Sequence, residues 1–146
     1  GYHPELGLIL RQSKEKGLDA KFMGPEGVGN PDISKIAGEA SEGLLVTLPQ
    51  SFDQDPANQA LVQAIKDKGE DPTGPFVFPA YSAVQVMTAA MAATGSTDSA
   101  KLADYIRNNT FDTTTGKLDF DEKGDLTQFS FVVYDWHADG TKTPAK

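Results

Sequence analysis

The stretch GLLVTLPQSFDQDP, residues 43 to 56, sets the architecture. Its first half, Gly43-Leu44-Leu45-Val46-Thr47-Leu48, is a continuous apolar run of strand length, the pattern of a strand covered on both faces. Its second half is polar and bounded by Pro49 and Pro56, the texture of a segment that crosses from one lobe to another, and Asp55-Pro56 is a plausible helix start.

Upstream of this stretch, Pro4 opens a helix that carries Leu6, Ile9 and Leu10 on one face, with Glu5 at the positive end of the helix dipole and Gly17 as the stop. Ala20 to Met23 reads as a short strand emptying into a Gly/Pro loop, and a brief helix over Ile33 to Ala37 follows. The alternation is that of an α/β protein. Downstream, Leu61, Val62 and Ile65 form an apolar stripe ending at Gly69, a nearly all-apolar helix starts at Pro75, and Thr97 or Asp98 caps a further helix that buries Leu102, Tyr105 and Ile106. Leu118 and Phe120 alternate with charged residues before the turn signal EKGD, and Gln128 to Trp136 is rich in β-branched and aromatic residues, so these two segments are expected to be strands joined by that turn. Asp139-Gly140 marks another turn. An α/β unit normally starts with a strand, yet this chain opens almost directly on a helix. The expectation is an abrupt beginning or the later part of a longer chain.

Composition removes several classes of function. The 146 residues, 38% hydrophobic and 23% charged, have the size and balance of a soluble globular domain. A net charge of -8 argues against a sequence-independent grip on nucleic acid or anionic lipid, which needs clustered Lys and Arg. Without cysteine there is no disulfide, thiolate nucleophile or Cys-based zinc site. The uncharged stretch from Pro75 to Ala93 is diluted by alanine, contains Pro75 and Pro79, and carries Ser82, Gln85 and Thr88; it is expected to be a buried core helix, not a membrane span.

Catalytic and metal signatures fail on spacing. His3 and His137 lie far apart with no HExxH pattern, no G-x-S-x-G elbow occurs, and GPEGVGN lacks both the Lys-Ser/Thr ending of a phosphate-binding loop and the glycine spacing of a dinucleotide site. DFDEKGDL, residues 119 to 126, imitates a calcium loop only at its start, because Lys123 and Ser130 stand where oxygen ligands are required. It reads as an acidic hairpin turn. No enzyme activity, cofactor or metal is expected.

The loop FMGPEGVGN, residues 22 to 30, holds one carboxylate, Glu26, among glycines expected to let the backbone turn tightly at Gly24, Gly27 and Gly29. On the residues alone Glu26 is a solvated acid or a charge aimed at a ligand; Tyr2 is a helix-staple residue or a ligand contact, and Phe76 is core or a pocket wall.

Taken in order, GYHPELGLILRQSKEKGL, FMGPEGVGN, IAGEASEGLLVT, FDEKGDL and YDWHADGT resemble the C-terminal part of the periplasmic leucine/isoleucine/valine-binding proteins of ABC importers, over essentially the whole chain. The resemblance implies an α/β fold of the Venus-flytrap type, two lobes joined by a hinge that close around an amino acid. It assigns residues 1–49 to the C-terminal lobe, 50–129 to a return into the N-terminal lobe, and 130–146 to a crossing back. It implies that Glu26 binds the ligand ammonium and that Tyr2 and Phe76 wall its aliphatic side chain. It further implies high-affinity binding of Leu, Ile or Val in the periplasm after export, with the signal peptide outside this segment, and delivery to ABC permease subunits; an amino-acid-sensing module of a signalling protein is the alternative. The N-terminal segment that grips the ligand carboxylate in the family lies outside this sequence.

Overall fold

The computed structural model describes residues 1–146, and its first sheet is built around the apolar run, which forms β2 (Leu44–Pro49). A two-residue strand, β1 (Met23–Gly24), lies parallel to it. On the other side β5 (Phe131–Trp136) runs antiparallel, with Val46 opposite Tyr134 and Pro49 opposite Phe131, and β6 (Lys142–Pro144) completes the order β1-β2-β5-β6. Between them in the chain, β3 (Phe111–Thr113) and β4 (Gly116–Leu118) form a separate hairpin.

One face of this sheet carries the core. Val46, Leu48, Tyr134 and Trp136 pack with Leu10 of α1 (His3–Glu15) and with Ile33 and Ala37 of α2 (Asp32–Ala37). Helix α1 starts where the sequence puts it: Pro4 sits in the first turn, the Glu5 carboxylate accepts the Tyr2 N–H at 3.1 Å, and Gly17 follows the last turn at φ 69°. Helix α2 is tied to the sheet by the buried Trp136, whose Nε1–H donates to Ser34 Oγ at 3.0 Å, while Ser34 Oγ donates to the His137 carbonyl at 3.1 Å. The opposite face differs from expectation. Strand β2 is fully buried only on the helix side, for Leu45 and Thr47 are half-buried, and Met23, Phe131 and Val133 on the same face are exposed. Both helices of this unit pack on the inner face.

Contacts divide the chain into two units: Gly1–Gln50 with Phe131–Lys146, and Ser51–Ser130. The second unit contains α3 (Gln59–Asp67), α4 (Val77–Thr94), α5 (Ser99–Arg107) and a hairpin of β3 (Phe111–Thr113) and β4 (Gly116–Leu118). One apolar cluster joins Phe52, Val62 and Phe78; another joins Val86, Phe111 and Leu118. The hairpin turn is held from two sides, since Asn58 Nδ2 donates to the Thr114 carbonyl at 2.9 Å and the Thr114 N–H donates to Gln85 Oε1 at 3.0 Å.

Three expectations are corrected here. The strand over Ala20 to Met23 shrinks to Met23–Gly24. The segments around Leu118 and Gln128 to Trp136 are not partners: β4 pairs with β3, and β5 takes the longer partner β2, leaving a single bridge between Phe120 and Leu126 at the EKGD turn. In that turn the Asp121 carboxylate is occupied by the backbone, accepting from the Lys123 and Asp125 N–H groups at 2.9 Å each. Helix α4 begins at Val77, not Pro75, and is not buried all round; Phe78, Ser82, Val86 and Ala90 face the core, whereas Tyr81, Val84 and Met87 are exposed. Asp98, not Thr97, caps α5 by accepting the Lys101 N–H at 3.0 Å. No helix is long and apolar enough to cross a membrane.

Candidate functional site

The Glu26 loop leaves the carboxyl end of β1, the end of a strand where open α/β sheets hold ligands. Pro25 is extended, Glu26–Val28 form one 3₁₀ turn, and the chain enters α2 through Asn30 and Pro31. The loop is a bonded structure rather than a slack connection: Val28 N–H donates to Pro25 O at 3.0 Å, Gly29 N–H to Glu26 O at 3.0 Å, and the Asp32 N–H is taken by Asn30 Oδ1 at 2.9 Å. Val28, 2% exposed, plugs the loop into the core. Glu26, its neighbour but one, stands exposed, and its carboxylate has no hydrogen bond or ion pair within the chain.

The glycines of this loop serve space, not left-handed geometry. None of Gly24, Gly27 and Gly29 has positive φ, so the tight turning expected of them is not what they supply. A Cβ at Gly29 would lie 2.5 Å from Leu48 Cδ2, and one at Gly24 would lie 2.5 Å from Val28 Cγ2. Both positions let the loop backbone press onto the core. Gly27 is apposed instead to an exposed side chain: a Cβ there would lie 3.2 Å from Cδ1 and 3.5 Å from Cε1 of Tyr2.

Tyr2 precedes the first turn of α1, its backbone held by Glu5 and by the Leu6 N–H donating to its carbonyl at 3.2 Å. Its side chain is 69% exposed, with the ring edge against Gly27. Thus the structure brings together two of the three residues singled out in sequence, Tyr2 and Glu26, through the glycine between Glu26 and Val28. The Glu5 carboxyl is held below the usual range, first by its own N–H and then by that of Tyr2. Phe76 belongs to the second unit, where it precedes α4 with its carbonyl accepting the Ala80 N–H at 2.9 Å. Its ring is 50% exposed, which removes the plain core reading.

Other features of the chain offer less chemistry. A groove of about 400 Å³ lies at the far end of α1, lined by Leu10, Lys14, Leu18, Phe22, Glu39 and Leu44, on the amino side of β1 and away from Glu26. No three His, Asp or Glu side chains are grouped to hold a metal ion.

The site thus presents an exposed acid on a hydrogen-bonded loop at a strand's carboxyl end, with the Tyr2 ring against the next residue. The sequence profile of the periplasmic binding proteins matches residues 1–141, and the chain belongs to that family. It is 60% identical over 146 residues to a leucine-, isoleucine-, valine-, threonine- and alanine-binding protein of Pseudomonas aeruginosa, covering all of this chain and 39% of the relative. It is 54% identical, again over its whole length, to the Leu/Ile/Val-binding protein of Escherichia coli, of which it covers 39%. Among solved structures, a leucine-binding protein of Thermotoga maritima superposes with a TM-score of 0.83 at 30% identity, covering 100% of this chain and 42% of that one. A branched-chain amino acid transporter substrate-binding protein of Streptococcus pneumoniae, solved with isoleucine, shares the fold at a TM-score of 0.77 and 21% identity. The chain therefore spans about two fifths of the length of the curated relatives it matches.

Proposed function

We propose that this chain is part of a receptor that binds branched-chain aliphatic amino acids outside the cytoplasm and hands them to the permease subunits of an ABC importer, without catalysing a reaction. The observation that carries this reading is Glu26, exposed and unpartnered on a rigid loop, with the Tyr2 ring seated on the next residue. In the proposed complex its carboxylate takes the ligand ammonium, Tyr2 and Phe76 enclose the aliphatic side chain, and lobe closure removes water from the charge pair. A charge-assisted hydrogen bond contributes about 1.5–3 kcal/mol, and burying a Leu-sized side chain a similar ~1.5–3 kcal/mol, so both parts of the ligand are needed for tight binding. The relatives' names, which specify binding of leucine, isoleucine and valine, support the same ligand class.

Residues 1–49 and 130–146 are proposed to belong to one lobe and 50–129 to the other, supported by the division of contacts at Gln50 and Ser130. An N-terminal segment of the same receptor is the proposed structural partner, a reading supported by the exposed Met23 and Val133 on the sheet and by the exposed apolar residues Tyr81, Val84 and Met87 of α4. Export to the periplasm follows from the same reading.

The test is calorimetric titration of a receptor of full family length that carries these residues. Leucine should bind, and Glu26→Gln should weaken it roughly ten- to hundredfold, as loss of one charge-assisted bond implies. The same variant should strengthen the weak binding of 4-methylpentanoate, which keeps leucine's carbon skeleton but lacks the ammonium and so leaves the Glu26 charge unpaired on closure. Equal leucine affinity in both proteins would falsify the role given to Glu26.

A further inference from the structure

Gly27 is unusual among the loop glycines in having neither reason that normally demands glycine. Its backbone lies outside the positive-φ region, and its nearest neighbour is not a buried core atom but the ring of Tyr2, 69% exposed. A methyl group at this position would meet Tyr2 Cδ1 at 3.2 Å and the Gly1 carbonyl oxygen at 3.6 Å. The first distance is tighter than an ordinary contact between carbons, about 3.5–4.0 Å, so the ring would have to give way.

We propose that Gly27 is a positioning residue for Tyr2: its missing side chain forms a flat seat that sets the ring's place beside Glu26, and through the ring it tunes the receptor's preference among aliphatic side chains. This rests on the reading that Glu26 and Tyr2 contact the ligand. Addition of one methyl lifts or turns the ring. Leucine, whose branched end reaches the ring, then loses affinity whether the ring withdraws or intrudes. Alanine, whose single methyl stays close to the ammonium and Glu26, is little affected. One methylene in an apolar pocket is worth about ten- to two-hundredfold in discrimination, so a ring displaced by a fraction of that length should shift the leucine-to-alanine ratio by at least about threefold.

The experiment is a double-mutant cycle on the full-length receptor, with leucine and alanine titrated against wild type, Gly27→Ala, Tyr2→Ala and the double variant. The expected result is a leucine-to-alanine ratio that falls at least about threefold in Gly27→Ala, and does not fall further when the same change is made on Tyr2→Ala. An unchanged ratio, an equal loss for both ligands, or a fall that persists without the tyrosine ring each overturns the inference while leaving the Glu26 assignment intact. Failure of the wild-type receptor to bind either amino acid overturns both. The seat itself is read by NMR on the full-length receptor: the Gly27 α-protons should carry a ring-current shift that vanishes in Tyr2→Ala, and absence of that shift in the wild type overturns the inference even if Gly27→Ala does not fold.

Discussion

Single residues separate space-saving glycines from conformational ones. At Gly29 the buried Leu48 side chain occupies the place of a Cβ, with Cδ2, Cδ1 and Cγ between 2.5 and 3.1 Å, so Gly29→Ala is an overpacking substitution. It should cost about 1–3 kcal/mol in denaturant unfolding, and an unchanged midpoint would contradict the packing described. A second residue-scale device is the contact between Glu42 and His137. Glu42 Oε1 lies 3.0 Å from His137 Nδ1, and its other oxygen accepts the Ala138 N–H at 2.8 Å. The hydrogen bond to Glu42 raises the His137 pKa, helped by the charges of Glu42, Asp135 and Asp139; in turn the His137 bond and then the Ala138 N–H lower that of Glu42. A raised histidine stabilises the fold below its ordinary value of 6.5 and loses that effect as pH rises through the raised value. A lowered carboxyl stabilises above its ordinary value of 4.5 and loses that effect as pH falls. The difference in thermal midpoint between wild type and His137→Gln should therefore be largest between those two values and shrink on both sides. A flat difference from acid to alkaline pH would show that the pair is not formed in solution. Of these roles, only the candidate status of Glu26 and Tyr2 was legible in residue type and context. The Gly27 and Gly29 contacts join residues distant in sequence, and a glycine's spelling does not say whether it supplies a backbone angle or an absence.

Elements show the same division between what local pattern reveals and what it hides. Helices α1 and α5 were legible because caps, stop residues and apolar spacing are local. Strand β3 carries no such signal, since Phe111-Asp112-Thr113 is too short to show a period, and the pairing of β5 with β2 joins residues more than eighty positions apart, beyond the reach of a local turn signal. Helix α4 is the clearest case. Its composition announced an apolar helix, but composition cannot say which faces are covered. Val84 is 61% exposed and Val86 only 4% exposed on the same helix. In the isolated chain Val84→Lys should change stability by no more than about 0.5 kcal/mol, as for an ordinary surface site. Val86→Lys places an unpaired charge against Phe111 and Leu118 and should unfold the second unit. Circular dichroism during thermal unfolding distinguishes the two. The isolated chain should also bind a hydrophobic fluorescent dye through its uncovered faces, and Val84→Lys should reduce that signal.

For the whole molecule, the separation of contacts into two units has a spectroscopic signature. The single tryptophan, Trp136, is 1% exposed in the first unit, whereas α3, α4 and α5 all lie in the second. Tryptophan fluorescence therefore reports one unit, while far-ultraviolet circular dichroism is weighted towards the other. Denaturant curves from the two probes are expected to differ in midpoint, each unit having its own apolar cluster; superimposable curves would mean that the units unfold as one.

Pro49 and Phe131 face each other across β2 and β5, so the chain departs for the second unit and comes home at a single rung of the ladder. That rung is a natural splice site. A foreign cassette, or a minimal two-residue turn, could be grafted between Gln50 and Ser130 while every rung from Leu44 to Pro49 keeps its mate. In this arrangement the second unit could be exchanged as a module without rewriting the sheet that carries it.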